Sequence, residues 1–73
     1  MGSKINERTR KNVIYYRKQS GLTSADLASK LGVSHDFIRQ AESKKIDKHF
    51  SIKRIEEIAD LLKIDYAQLF EKR

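Results

Sequence analysis

Apolar residues recur at helical spacing along most of the chain and predict a compact, all-α domain of five short helices. The first helix is expected over about residues 7–20, with Asn6 as its N-cap. Val13 and Tyr16 lie three residues apart and share its buried face, which leaves Tyr15 exposed. A glycine, Gly21, ends this helix.

Two further helices are expected over about residues 24–31 and 35–44, joined at Gly32, and the chain is organised around them. A helix often ends in a left-handed residue, which glycine adopts at little cost. Thr23, with Asp26 three residues later, caps the first of the two, and Ser34 caps the second. Their inward apolar positions are Leu27, Ala28, Leu31, Val33, Ile38 and Ala41. This arrangement is a helix-turn-helix, which indicates DNA binding.

The C-terminal part predicts two more helices. Ser51 caps the fourth helix, and Asp65 caps a short fifth one, with Gln68 completing its capping box. The fourth helix carries apolar residues at three-four spacing, namely Ile52, Ile55, Ile58, Ala59 and Leu62. A polar, basic loop precedes it and contains two apolar anchors, Ile46 and Phe50.

Length and charge narrow the class of protein. Seventy-three residues allow one small domain, expected at residues 6–73 behind a flexible N-terminal segment at residues 1–5. The net charge of +6 favours a polyanionic partner, either nucleic acid or an acidic membrane surface. The apolar faces are needed for the core, which argues against the membrane.

Several chemistries are disfavoured by composition. The chain has no cysteine and only two histidines, so neither a disulfide nor a zinc finger is expected, and no metal or cofactor is predicted. The sequence holds no nucleophile–base pair and no phosphate-binding loop, which argues against an enzyme. It has no apolar run of membrane-spanning or signal-peptide length, which predicts a cytoplasmic protein.

The helix-turn-helix resembles that of the lambda repressor and Cro-like family, also called the XRE family, in the unit Leu27-Ala28, Leu31-Gly32-Val33, Ile38 and Ala41-Glu42. The resemblance extends over about residues 13–70 and includes the step Tyr16-Arg17 and the closing Asp65-Tyr66-x-x-Leu69-Phe70. It implies a five-helix DNA-binding domain of a small transcriptional regulator, by default a repressor. It also implies a homodimer on a palindromic double-stranded operator, since one such domain covers a half-site.

The resemblance and the helical pattern together predict the contacting residues. The helix at residues 35–44 is expected in the major groove, with base contacts from His35, Asp36, Arg39 and Gln40. Phosphate contacts are expected from Thr23, Ser24, Ser34, Ser43, Lys44, Lys45, Lys48 and His49. Asp36 departs from the residue types common in the family. A carboxylate there suits the helix N-terminus, and its one good base partner is the amino group of cytosine.

Two further roles and one alternative complete the expectations. The resemblance implies an internal ion pair between Arg17 and Glu42. The expected dimer interface consists of Ile64, Tyr66, Leu69 and Phe70, although Leu69 also suits the core. A protein-interaction module on the same fold, such as an antitoxin or an anti-repressor partner, stays open as the alternative. It is supported by Asp36 and by the acidic residues Glu56, Glu57 and Asp60 of the fourth helix.

Overall fold

Four α-helices and one 3-10 helix make up the fold. The computed structural model describes residues 4–43 and 50–72, with side chains from residue 7 onward. The elements in chain order are α1 at Lys4–Gln19, α2 at Ser24–Leu31, α3 at His35–Glu42, α4 at Ile52–Leu62 and the 3-10 helix at Tyr66–Phe70. The all-α class is confirmed, and the described residues contain no strand.

The observed elements differ from the predicted ones in two boundaries and in the type of one helix. Helix α1 begins at Lys4, about one turn before the predicted start at residue 7. Helix α3 ends at Glu42, before the predicted residue 44. The fifth element is a 3-10 helix, which suits a five-residue segment, because 3-10 geometry is used in short pieces.

The predicted caps of α2, α3, α4 and the 3-10 helix are confirmed. Asn6, the predicted N-cap of α1, is not a cap, because α1 begins at Lys4 and Asn6 lies inside the helix. The hydroxyl oxygen of Thr23 accepts from the backbone N–H of Asp26 at 3.0 Å, and the Asp26 carboxylate accepts from Thr23 N–H at 2.9 Å. The hydroxyls of Ser34 and Ser51 cap α3 and α4 in the same way. Asp65 forms the second capping box, with Gln68. These bonds satisfy N–H groups that a helix leaves unpaired at its start.

Every element contributes at least one fully buried side chain to a single core. These side chains are Val13 on α1, Leu27 on α2, Ile38 on α3, Ile58 on α4 and Leu69 on the 3-10 helix. Their shared burial fixes the position of α3 relative to the other helices. The helices α2 and α3 are therefore held in place by packing against the other elements as well as against each other.

Ile52 does not lie on the buried face of α4 as predicted. Ile52 is 69% exposed, because it occupies the first turn of α4, beyond the core. There it lines a shallow surface concavity with the side chains of Tyr66 and Phe70. Phe50, one of the two predicted loop anchors, is buried in the core. Ile46, the other anchor, lies outside the described residues.

A polar contact joins the C-terminal segment to α1. The side-chain amide of Asn12, which is fully buried, donates to the backbone carbonyl of Glu71 at 2.7 Å. The hydroxyl of Tyr16 donates to the Glu71 carboxylate at 2.8 Å. The segment after the 3-10 helix is thus tied to the first helix. No helix in the described part of the chain is long and apolar enough to cross a membrane.

Candidate nucleic-acid interface

A tight turn sets α3 against α2. Gly32 adopts the left-handed conformation, with φ of 74°, and its N–H donates to the carbonyls of Ala28 and Ser29. The next N–H, from Val33, also reaches Ala28 O at 3.0 Å. Ala28 is 2% exposed, so the two helices approach closely over a side chain that is only a methyl group. The turn and the small residue together fix the angle between α2 and α3.

Helix α3 is held by one apolar face. Ile38 and Ala41 are buried in the core, and their spacing of three residues places them on the same side of the helix. The ring of Phe37 meets that of Phe50 edge to face, with centroids 6.2 Å apart. This packing leaves His35, Asp36 and Arg39 exposed on the other side of α3.

The end of α3 is fastened by the ion pair expected from the sequence. Arg17 on α1 donates from Nε to Glu42 Oε2 at 3.0 Å and from Nη2 to Oε1 at 3.2 Å. The same guanidinium donates from Nη1 to the carbonyl of Leu22 at 2.9 Å. The two charged side chains are only 10% and 11% exposed. The structure therefore brings Arg17 and Glu42 together as a bidentate, nearly buried pair.

The four residues predicted to contact bases lie on α3 as expected, but they differ in accessibility. His35, Asp36 and Arg39 are exposed, whereas Gln40 is half-buried. Asp36, Arg39 and Gln40 line one surface concavity of about 420 Å³ together with Ser43. Within it, Arg39 Nη1 donates to Asp36 Oδ1 at 3.1 Å. The outer face of α3 thus carries one paired cation and several hydrogen-bonding groups.

His35 connects the N-termini of the two helices. Its Nε2 lies 2.9 Å from the hydroxyl oxygen of Ser24, the first residue of α2. The tautomer of the imidazole decides which of the two groups donates. The contact places a predicted base-contacting residue beside a predicted phosphate-contacting one, so the starts of α2 and α3 face the same side of the molecule.

Two of the hydroxyls predicted to contact phosphate, those of Thr23 and Ser34, serve first as helix caps. Thr23 and Ser34 each accept a hydrogen bond from a backbone N–H, which leaves their own O–H available to donate. Ser43 ends α3 and is half-buried. The remaining predicted phosphate contacts, Lys44, Lys45, Lys48 and His49, lie outside the described residues.

The start of α2 carries one perturbed carboxyl group. The pKa of Asp26 is lowered from its ordinary value because its carboxylate accepts the backbone N–H of Thr23, and the Thr23 side chain also favours the charged form. Asp26 is therefore held ionised next to the helix N-terminus. Its negative charge is engaged in the cap and lies on the helix that is expected to approach phosphates.

The predicted dimer residues are not equally accessible. Tyr66 is 57% exposed, Ile64 and Phe70 are half-buried, and Leu69 is fully buried in the core of the single chain. Leu69 therefore presents no surface to a partner. Ile52, which the sequence placed in the core, is exposed beside Tyr66 instead.

No metal site is visible in residues 4–43 and 50–72. No group of three histidine, cysteine, aspartate or glutamate residues in these ranges is arranged to hold a metal ion. Sequence reasoning missed Asn12, whose buried amide fastens the C-terminal segment. The only signal for it was a polar residue next to Val13 on the inner side of α1.

Comparison with known protein families agrees with this geometry. A family model described as "Helix-turn-helix" matches residues 13–69, which is more than half of the chain. The matched part begins within α1 and includes all of α2, α3 and α4. No curated protein matched the chain.

Proposed function

We propose that the chain binds double-stranded DNA in a sequence-specific way. It belongs to the lambda repressor and Cro-like helix-turn-helix family, which is a family of DNA-binding regulators. Helix α3 would lie in the major groove with its N-terminal half at the base edges. The observation that carries this proposal is the division of α3 into two faces. Ile38 and Ala41 are fixed in the core, whereas His35, Asp36 and Arg39 are exposed on the other side.

The exposed groups of α3 have the chemistry needed to distinguish bases. A guanidinium such as that of Arg39 donates two parallel hydrogen bonds to guanine, and an amide such as that of Gln40 pairs with adenine. His35, the first residue of α3, would be held by Ser24 at the start of α2. We assign the base contacts to His35, Arg39 and Gln40, and we give Asp36 a contact with Arg39.

Phosphate contacts would come from the two helix N-termini and the basic loop. Backbone N–H groups and a helix dipole attract anions at such ends. Thr23, Ser24 and Ser34 stand at the starts of α2 and α3. We assign the remaining phosphate contacts to Ser43, which follows α3, and to the loop residues Lys44, Lys45, Lys48 and His49.

Binding as a homodimer to a palindromic operator would follow from the size of the domain. One recognition helix covers a half-site, and two half-sites lie about 34–36 Å apart in such complexes. Tyr66 supplies exposed aromatic surface on the 3-10 helix, with Ile64 and Phe70 half-buried beside it in the chain. We propose this surface as the dimer interface. The dimer would act as a repressor in the cytoplasm, because its occupation of the operator would block polymerase.

Selection from a random duplex pool tests the proposal. Bound duplexes are enriched over several rounds, and affinities for the selected sequence are measured at rising salt. A regulator enriches a palindrome, and its affinity falls steeply with salt because bound phosphates release counterions. Uniform, weak binding to all duplexes would contradict sequence-specific recognition.

Three substitutions separate base contacts from phosphate contacts. Arg39→Ala should relax sequence preference at one position, by about 1–3 kcal/mol. Lys45→Ala should weaken binding to all sequences alike and reduce the salt dependence. Lys30→Ala is the matched control for lost charge, because Lys30 lies in the last turn of α2, away from its N-terminus. It should change neither quantity.

A protein-interaction module, such as an antitoxin or an anti-repressor partner, is the second candidate. The exposed carboxylates of Asp36 on α3 and of Glu56 and Asp60 on α4 favour it, since acids repel a phosphate backbone. The pairing of Asp36 with Arg39 weakens this support, because the acid on α3 then has a cationic partner within the same helix. Absence of sequence preference in the selection experiment would favour this candidate.

A further inference from the structure

An ion pair on the outer face of α3 suggests how base recognition is organised. Asp36 Oδ1 lies 3.1 Å from Arg39 Nη1, one helical turn away, and both side chains are largely exposed. We propose that Asp36 is a positioning residue, which holds the guanidinium of Arg39 in the orientation that reads a guanine. This inference rests on the proposed DNA-binding function and adds a specificity-determining residue to it.

The geometry of the contact leaves the reading edge of Arg39 free. The hydrogen bond to Asp36 uses Nη1, whereas Nε and Nη2 form the other edge of the planar fork. That edge donates two parallel bonds, the pattern that matches O6 and N7 of guanine. An arginine without a partner distributes among many side-chain conformations, and ordering it upon binding costs entropy. Asp36 removes part of that cost before the DNA arrives.

The ion pair between Asp36 and Arg39 contributes little to the stability of the fold, so its role is to be sought in recognition. At 65% and 76% exposure, the charges of Arg39 and Asp36 are screened by water, and such pairs contribute little to folding. In the major groove, water is displaced and the same pair becomes stronger. The described residues lining the concavity around the pair, Gln40 and Ser43, are uncharged. Among them, Asp36 is therefore the anionic partner of Arg39.

The charge of Asp36 gives the proposal two consequences of opposite sign. A carboxylate near phosphates weakens binding to every duplex, so its removal should raise non-specific affinity. Its removal should also free Arg39 and lower the discrimination of guanine. If Asp36 merely stabilised the N-terminus of α3, its removal would change neither which base pair is preferred nor how strongly it is preferred.

A double-mutant cycle in the intact chain measures this coupling. The probes are the selected duplex and duplexes in which each G·C pair of one half-site is replaced by A·T. Dissociation constants are measured at one salt concentration for wild type, Asp36→Ala, Arg39→Ala and the double variant. Asp36→Asn provides a variant of nearly unchanged shape, and Asp60→Ala removes an exposed carboxylate from α4 as the charge control. Helix content and melting are recorded for every variant.

The expected result is a change at one G·C pair. Wild type should prefer it by roughly 5- to 150-fold, and Arg39→Ala should lose the preference. Asp36→Ala should reduce it by about 2- to 10-fold, while affinity for the unselected pool rises. In the Arg39→Ala background, Asp36→Ala should leave base preference unchanged. Asp36→Asn should behave as Asp36→Ala does, and Asp60→Ala should keep the wild-type preference.

Two outcomes would overturn the inference alone. One is an unchanged guanine preference in folded Asp36→Ala and Asp36→Asn proteins. The other is a loss of preference caused by Asp36→Ala even without Arg39, since this would mean that Asp36 contacts a base directly. A wild-type protein without any sequence preference would instead overturn the proposed function, and the inference would fall with it.

Discussion

Arg17 and Glu42 form a bidentate ion pair that fastens the last residue of α3 to α1. The distances are 3.0 Å from Nε to Oε2 and 3.2 Å from Nη2 to Oε1, and both side chains are about nine-tenths buried. Arg17 also donates to the carbonyl of Leu22, just before α2 begins. One guanidinium thus ties together α1, the approach to α2 and the end of α3.

Removal of either partner should therefore destabilise the protein strongly. Arg17→Ala or Glu42→Ala leaves a nearly buried charge without its counterion, which costs about 3–5 kcal/mol. Urea denaturation of each variant measures this loss. Arg54 and Glu57 on α4 are the matched control, because this pair is 34% and 39% exposed, and breaking it should cost less than about 1 kcal/mol. A loss near zero for Glu42→Ala would show that the buried pair does not hold the fold together.

Two helices end in the same left-handed conformation with different residues. Gly32 ends α2 with φ of 74°, and Lys63 ends α4 with φ of 57°, and each donates its N–H to two carbonyls of the preceding turn. A residue with a side chain is strained in this conformation by about 1–2 kcal/mol. Lys63→Gly relieves that strain but increases the entropy of the unfolded chain, so we expect a net gain of about 0.5–1 kcal/mol.

Thermal unfolding checks this prediction directly. For a domain of this size, a gain of 1 kcal/mol raises the melting temperature by about 4–8 °C. Gly32→Ala is the reverse change and should lower it, by strain alone, because a Cβ at Gly32 would have no heavy atom within 4 Å. Lys63→Ala, which keeps the strain, is the control for loss of the charge. Equal melting temperatures for Lys63→Gly and Lys63→Ala would contradict the argument.

The capping box of α2 should make stability depend on pH in the acid range. The pKa of Asp26 is lowered because its carboxylate accepts the backbone N–H of Thr23. A carboxyl with a lowered pKa in the folded state stabilises the fold above its unfolded pKa, and this contribution disappears as pH falls through the folded pKa. The free energy of unfolding, measured against pH for wild type and Asp26→Asn, should therefore differ most above the ordinary pKa of 3.8 and converge below it. A difference that grows toward low pH would have the wrong sign.

The scaffold was the part most accessible to sequence reasoning. The spacing of Leu27, Ala28, Ile38 and Ala41, together with Gly32, predicted the helix-turn-helix, because a buried face imposes a strict helical period. The side-chain caps at Thr23 and Asp65 were equally predictable, since each acts on a backbone group within three residues. Local bonds and periodic burial leave a direct trace in the sequence.

Contacts between distant segments left much weaker traces. Ile52 has the period of the core of α4, yet it lies exposed because the helix extends past the core there. Asn12 was given no role from the sequence, yet its side chain bonds to a carbonyl 59 positions away. The pair of Asp36 with Arg39 has ordinary helical spacing, but the spacing alone did not distinguish it from a helix-end charge or a base contact. The burial and the contacts of these residues depend on how distant segments are placed relative to one another, and the sequence pattern of a single helix does not show this.

The exposed aromatic surface at the C-terminus should mediate dimerisation. Tyr66 is 57% exposed and lines a concavity with Ile52 and Phe70, and large aromatic side chains often dominate interfaces between copies. Tyr66→Ser should weaken self-association by about 2 kcal/mol, which is roughly 30-fold in the dissociation constant. Sedimentation equilibrium across a range of protein concentrations measures this change. The melting temperature of the dilute monomer should stay the same, because Tyr66 is not part of the core.

A second exposed tyrosine supplies the control for this prediction. Tyr15 on α1 is 40% exposed and lies against the ring of Tyr16, with centroids 5.0 Å apart. Tyr15→Ser removes the same kind of side chain from a residue that does not line the concavity of Tyr66, so self-association should be unchanged. Operator affinity should fall with Tyr66→Ser when the protein concentration lies below the weakened dimer constant, because each half-site is then bound separately. A Tyr66→Ser protein that self-associates as wild type does would place the interface elsewhere on the surface.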